Sequence, residues 1–217
     1  SIKTMPEIIR HLMENGAPID AFLAPGHVSV VTGSAVYGPI AKDYRIPFGV
    51  AGFRAEELLI ALHGIVQHRG QGIVKNYYPS VVTEKGNTKA AELIEKYFSK
   101  SDAAWRGVGT VADSGRLLRD SYQKYDAGSA GLDRDEKRNP ACCFDQVLMG
   151  KKKPSACPLF GKVCVPMNPQ GACMVSTEGS CFSYFYRPTN TKKCLWGKKT
   201  GLQNRGTYII VCTDSHF

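Results

Sequence analysis

The segment from Cys157 to Cys181, CPLFGKVCVPMNPQGACMVSTEGSC, limits what this chain can fold into more than any other stretch. Its four cysteines are separated by six, eight and seven residues, with Pro158, Pro166, Pro169, Gly161, Gly171 and Gly179 between them. Proline removes backbone donors and glycine raises the entropic cost of order, so no regular helix runs through it. A loop-rich segment with so little to bury needs a cross-link in place of a core. Thiolates converging on a metal ion or an iron–sulfur cluster supply one, because four sulfurs around one centre tie together four points of the loop. The spacing does not say which. It matches neither the closely paired cysteines of common zinc sites nor the ferredoxin patterns.

Disulfides and plain buried thiols are the alternatives. Six of the eight cysteines lie between Cys142 and Cys181, which argues against burial alone. Disulfides need an oxidising compartment, and nothing here resembles a signal peptide. A metal or cluster in a cytoplasmic protein is therefore the expectation.

A length of 217 residues suits one large domain, or a medium one with a small appendage. No apolar run approaches the ~18 residues of a membrane span. The net charge of +9 comes from scattered basic residues, apart from Lys151-Lys152-Lys153 and a basic tail. No aromatic-basic platform or zinc-finger pattern accompanies it, so a solvated basic surface is a better reading than a nucleic-acid site.

Thr4-Met5-Pro6-Glu7 reads as a helix start with Thr4 at the N-cap. Ile8, Ile9, Leu12 and Met13 give its apolar face, and Asn15-Gly16 ends it. A strand follows at Ile19–Leu23, then an irregular helical stretch from Val28 to Tyr44 interrupted at Gly33 and Gly38-Pro39. Pro47–Ala51 is a second strand. Glu56–Arg69 reads as an amphipathic helix with Leu58, Leu59, Leu62, Ile65 and Val66 on one face. Tyr77–Val82 is a strand or an extended link. Asn87 caps a helix carrying Ala90, Leu93, Ile94, Tyr97 and Phe98 as its apolar positions. Strands alternating with helices indicate an α/β fold with a parallel sheet. The expected organisation is an α/β domain over residues 1–125, a polar link over 126–139, a cysteine subdomain over 140–187 and a tail over 188–217.

Ligands of open α/β sheets bind beyond the carboxyl ends of the strands. Pro25-Gly26-His27 and Ala51-Gly52-Phe53 are the two turns so placed, and His27 is the one histidine among them. Its candidate roles are base, metal ligand or hydrogen-bonding group, against a satisfied place in the core or a helix cap. His63 and His68 fall within the amphipathic helix and read as structural or solvated. The glycines around Trp105-Arg106-Gly107-Val108-Gly109 do not follow a strand in the manner of a dinucleotide site.

Leu23-Ala24-Pro25-Gly26-His27-Val28-Ser29, Val50-Ala51-Gly52-Phe53, Glu84-Lys85-Gly86-Asn87, Trp105-Arg106-Gly107 and the cysteine segment resemble the HypD family. These are maturation proteins of nickel–iron hydrogenases. The likeness runs in order over about residues 5–187. It implies a 4Fe-4S cluster held by Cys157, Cys164, Cys173 and Cys181 in a small subdomain, and His27 facing a cleft. It also implies that the Fe(CN)2CO group is assembled there, with a HypC-type chaperone and a HypE-type cyanide donor as partners. The family's N-terminal α/β domain has no counterpart, so the resemblance is to the middle and C-terminal portions. The family has Cys-x-Cys where this chain reads Cys142-Cys143-Phe144. The tail, with Cys194 and Cys212, has no counterpart either. The resulting expectation is an assembly scaffold with a redox centre rather than a freestanding enzyme. The rivals are a zinc-stabilised interaction module and a thiol redox enzyme.

Overall fold

In the computed structural model the described residues are 2–105, 108–128, 139–175, 177, 179–186 and the backbone of 209–211. Most of the expected link and tail, including Cys194 and Cys212, lies outside them, as do Arg106 and Gly107.

The chain begins with β1 (Ile2–Lys3) and α1 (Met5–Glu14). Ile8, Ile9 and Leu12 recur at helical spacing and are buried, at 1%, 1% and 6% exposure. Thr4 precedes the helix in extended conformation, but its side chain makes no capping bond, contrary to expectation. Asn15 ends the helix, donating its backbone N–H and its Nδ2 to the His11 carbonyl.

The parallel sheet is built from β2 (Ala21–Pro25), β3 (Phe48–Ala51) and β4 (Val74–Asn76), joined by α2 (Gly26–Thr32), α3 (Gly38–Tyr44) and α4 (Ala55–Gln67). Phe22 pairs with Phe48 in register and stacks on it at 4.8 Å, and Tyr37 stacks on Phe48 at 5.1 Å. All residues of β2 and β3 are buried, as expected of strands covered on both faces. A late strand, β7 (Ile209–Val211), pairs in parallel with the free side of β2, giving the order β4-β3-β2-β7.

Three local readings change. On α4 the buried residues are Ala61, Gly64 and Ile65, whereas Leu59 and Val66 are 67% and 45% exposed. Leu58, Leu62 and Ile65 of the expected face do pack on the sheet, and the small residues Ala61 and Gly64 complete the stripe in place of Leu59 and Val66. The third strand ends at Asn76, upstream of the expected Tyr77–Val82. Asn76 accepts the Tyr78 N–H at 2.9 Å and donates to the Val82 carbonyl at 2.7 Å, turning the chain with its side chain. The segment after α5 (Thr88–Tyr97) is an antiparallel hairpin, β5 (Phe98–Trp105) with β6 (Gly109–Leu118), and β1 joins it in the order β1-β6-β5. Asp113-Ser114-Gly115, which its composition would mark as a turn, is an irregularity inside β6, where the register shifts and Asp113 takes a positive φ of 56°.

Asn87 does cap α5, accepting the Ala90 N–H at 3.0 Å. Asn87→Ala is expected to cost about 1 kcal/mol, read as faster hydrogen exchange through the first turn of α5. No described helix is long and apolar enough to cross a membrane.

Candidate functional site

The cysteine segment folds as a chain of tight turns. A 3-10 turn at Pro154–Ala156 delivers Cys157, and the Phe160 N–H returns to the Cys157 carbonyl at 3.1 Å. Gly161, at a φ of +68°, reverses the chain so that the Cys164 N–H reaches the Leu159 carbonyl at 2.9 Å. A second 3-10 turn, Ala172–Met174, carries Cys173, and α7 (Ser180–Phe185) carries Cys181 in its first turn. α6 (Phe144–Leu148) packs against them. The result is a small separate core in which Cys142, Cys164, Cys173 and Cys181 pack with Phe144, Val147, Ala172 and the fully buried Met174. Met149 packs instead on the main core, and Lys151 donates to the Asn15 carbonyl at 3.4 Å, so this unit docks beside the end of α1.

All four sequence-designated cysteines are buried: Cys157 at 9%, Cys164 at 5%, Cys173 at 7% and Cys181 at 5% exposure. Backbone donors point at their sulfurs. Burial works to raise the Cys157 pKa, but N–H groups of Cys143, Leu159 and Phe160, with the Cys143 thiol, outweigh it and bring the pKa down. The Gln170 N–H lies 3.4 Å from the Cys164 Sγ. The Cys173 and Cys181 sulfurs are 2.9 Å apart, within hydrogen-bonding contact. That contact lowers the Cys173 pKa, helped by backbone N–H groups, and with burial raises that of Cys181. Burial pushes the Cys142 thiol up to about 11. Among the described residues no group of three or more His, Cys, Asp or Glu converges as a single metal ion requires.

The pocket's donors are thus thiols gathered in an apolar shell, with N–H groups supplied to negative sulfur. Such a donor set fits an iron–sulfur cluster, whose ligand sulfurs carry charge and are tuned by hydrogen bonds. A single zinc ion at about 2.3 Å from each sulfur would draw four of them to about 3.8 Å from one another.

His27 stands apart from the thiols, at the start of α2 beyond the end of β2. It is exposed, and its ring lies 5.2 Å from that of Phe53, so the two strand-end turns do meet. It borders a cavity of about 800 Å³ also lined by Thr4, Glu7, Lys85, Trp105 and Arg116. Sequence reasoning did not assemble this wall, because β1 and the hairpin that supply part of it were not foreseen. Trp105 is held there by its Nε1–H, which donates to the Ser114 Oγ at 2.7 Å, and Lys3 lies over its ring at 5.2 Å. Cys142 is the other residue the sequence left ambiguous. Its signal was the crowding of cysteines, but adjacency to Cys143 obscured which one turns inward.

Comparison with known proteins bears on the whole arrangement. The family model HypD, described as the hydrogenase formation hypA family, matches residues 1–187. The chain is 40% identical over 190 residues to hydrogenase maturation factor HypD of Escherichia coli, covering 84% of this chain and 50% of that protein. It is 38% identical over 192 residues to hydrogenase maturation factor HypD1 of Bradyrhizobium diazoefficiens, covering 83% and 50%. HypD of Rhodobacter capsulatus is also 38% identical over 192 residues, with 84% and 51% covered. The chain spans about half the length of these curated relatives. The matched region contains both strand-end turns and every cysteine of the buried pocket, and on that breadth the chain belongs to the HypD family of hydrogenase formation proteins.

Proposed function

We propose that this chain acts in hydrogenase maturation as an assembly scaffold with a 4Fe-4S redox centre held by Cys157, Cys164, Cys173 and Cys181. The observation that carries the reading is the burial of all four thiols within one short, turn-rich unit, with backbone N–H donors aimed at the sulfurs of Cys157, Cys164 and Cys173. When bound, such a cluster supplies one-electron transfer. The chain's own part is to desolvate the four sulfurs and to neutralise their charge with the N–H groups of Leu159, Phe160, Gln170 and Cys181. Phe160 packs against this small core, with its ring 5.8 Å from that of Tyr184 and 6.0 Å from that of Phe185.

In the same proposal His27 faces the substrate iron, the Fe(CN)2CO group under assembly, from the cavity wall. An imidazole there offers a hydrogen bond or a proton to a ligand on that iron. A HypC-type chaperone and a HypE-type cyanide donor are the proposed partners. The relatives' names, hydrogenase maturation factor, support the process, and the surface position of His27 supports access from a partner.

Anaerobically prepared protein is expected to hold about four iron and four sulfide per chain. Elemental and sulfide analysis checks this. About one zinc with no sulfide would replace the reading with a zinc-stabilised module.

A further inference from the structure

α4 is apolar on both of its sides. Leu58, Leu62 and Ile65 pack with Ala61 on the sheet residues Ala21, Leu23 and Ala51. Leu59, Ile60 and Val66 recur at helical spacing on the other side, at 67%, 59% and 45% exposure. Phe53, just ahead of the helix, adds a ring at 62% exposure. The outward stripe carries only Glu56, His63 and Gln67 as polar side chains. A surface helix has one apolar face, and a helix that is apolar all round is a buried one. Four large side chains so exposed form a patch on the order of 300–600 Å², a size that on a folded monomer is often functional.

The sheet beneath has room for a cover. Four strands about 4.8 Å apart make a layer about 19 Å wide, whereas one helix with its side chains is about 10–12 Å across. The opposite face of the sheet packs on two helices, with Ile8 and Leu12 of α1 and Ile40 of α3 against Phe22 and Phe48. On the face of Ala21, Leu23 and Ala51, α4 is the one helix in the core cluster among the described residues. A second helix fits beside it. Length points to where that helix comes from. The match covers 50% of the curated relatives from Escherichia coli and Bradyrhizobium diazoefficiens, and domains of one protein meet through about 600–1,500 Å².

We propose that the outer face of α4 is the docking surface for the half of the HypD length that this chain does not span. An amphipathic helix of that half lies along it, with its apolar stripe on Leu59, Ile60 and Val66. The surface is the same whether that half is joined to the chain or separate. Phe53 links it to the candidate site, because its ring lies 5.2 Å from that of His27. A helix that covers Phe53 therefore brings the docked half beside His27. The inference stands apart from the cluster reading, since no residue of α4 belongs to the cysteine core.

The test joins the unmatched half of the Escherichia coli relative ahead of Ser1 and compares this chimera with the full chain alone. Hydroxyl-radical footprinting, read by mass spectrometry, reports side-chain access. Phe53, Leu59, Ile60 and Val66 are expected to react in the chain alone and to be protected several-fold in the chimera. Met167, at 94% exposure, should react in both. Leu59→Glu combined with Ile60→Glu should leave the melting temperature of the chain alone unchanged and lower that of the chimera. Equal reactivity of the four residues in both proteins, with the added half resistant to protease, would overturn the inference. If the added half is digested, the same footprint on the intact Escherichia coli relative decides. Protection of the positions aligned with Leu59, Ile60 and Val66 supports the inference there, and free reaction overturns it. Sedimentation of the chain alone as a dimer that Leu59→Glu splits would assign the face to a second copy, and would also overturn it.

Discussion

Replacing any one of Cys157, Cys164, Cys173 or Cys181 by Ser is expected to reduce bound iron from about four per chain to below about one. Serine oxygen is a harder and poorer partner for iron–sulfur centres than thiolate. The structural consequence is as large as the chemical one. The unit around these cysteines has a core of only a few apolar residues, Phe144, Val147, Ala172 and Met174 among them. The rest is turns, and Met167 and Val163 are 94% and 50% exposed. Removing one corner releases a loop that its own packing does not hold, since cluster binding and folding are coupled there. Limited proteolysis between residues 151 and 186 should therefore accelerate in each variant, while the residues of the parallel sheet stay protected. Cys194→Ser and Cys212→Ser are the controls, because both positions fall outside the family match over residues 1–187. Iron retained in Cys157→Ser but lost in Cys194→Ser would refute the ligand assignment.

Gly33→Ala is expected to lower stability by about 4 kcal/mol, summing backbone strain of about 1–3 and overpacking of about 1–3. Gly33 ends α2 at φ 80° and ψ 159°, a region that essentially only glycine visits. A β-carbon there would collide with the Glu84 carbonyl oxygen and lie 2.6 Å from the Lys85 carbonyl carbon and 2.7 Å from the Gly86 nitrogen. Gly86, at φ +68°, faces it with equally little room, since a β-carbon added there would lie 2.7 Å from the Thr32 carbonyl carbon. The two backbones cannot part without loss. Ser34 and Ala35 donate to Thr83 and Glu84 at 3.1 Å each, and Asn87 donates to Val31 at 3.0 Å. For a protein of this size the cost corresponds to a fall of roughly 10 °C in Tm. Gly16→Ala is the comparison, since Gly16 has φ +69° but nothing within 4 Å, leaving strain of about 1 kcal/mol. Equal melting temperatures for the two variants would show that the crossing yields.

What the sequence disclosed followed the strength of its local signals. α1 was legible because Ile8, Ile9 and Leu12 repeat at helical spacing before Asn15-Gly16. β2 and β3 were legible because each is an unbroken apolar run ending in a glycine turn, which also located His27. The hairpin of β5 and β6 escaped notice because Phe98 extends the apolar face of α5, and Ser99 to Asp102 look like a polar loop. Only pairing with β6 makes them a strand. The face of α4 was legible in Leu58, Leu62 and Ile65 but not in its small residues, because periodicity counts large side chains, whereas close approach to the sheet selects Ala61 and Gly64 over Leu59 and Val66. For the thiols, the sequence marked a segment whose four cysteines the structure buries. Cys142 packs in the buried cluster, while Cys143 is half-buried and meets both the Cys157 sulfur and the Lys152 Nζ, the latter at 3.4 Å. No spacing rule contains that information.

The pairing of β2 with β7 has a consequence for how the chain is made. Leu23 lies beside Val211, so contacts within this one sheet join residues 188 positions apart in sequence. Synthesis at about 5–20 residues per second leaves on the order of 10–40 s between the two strands leaving the ribosome. Throughout that interval β2 presents an open row of backbone donors and acceptors, flanked by wholly apolar side chains, to whatever strand comes near. Long-range parallel pairing is also slow to close once both partners exist. The nascent chain is thus most vulnerable to wrong association while its first parallel strand waits for its last neighbour.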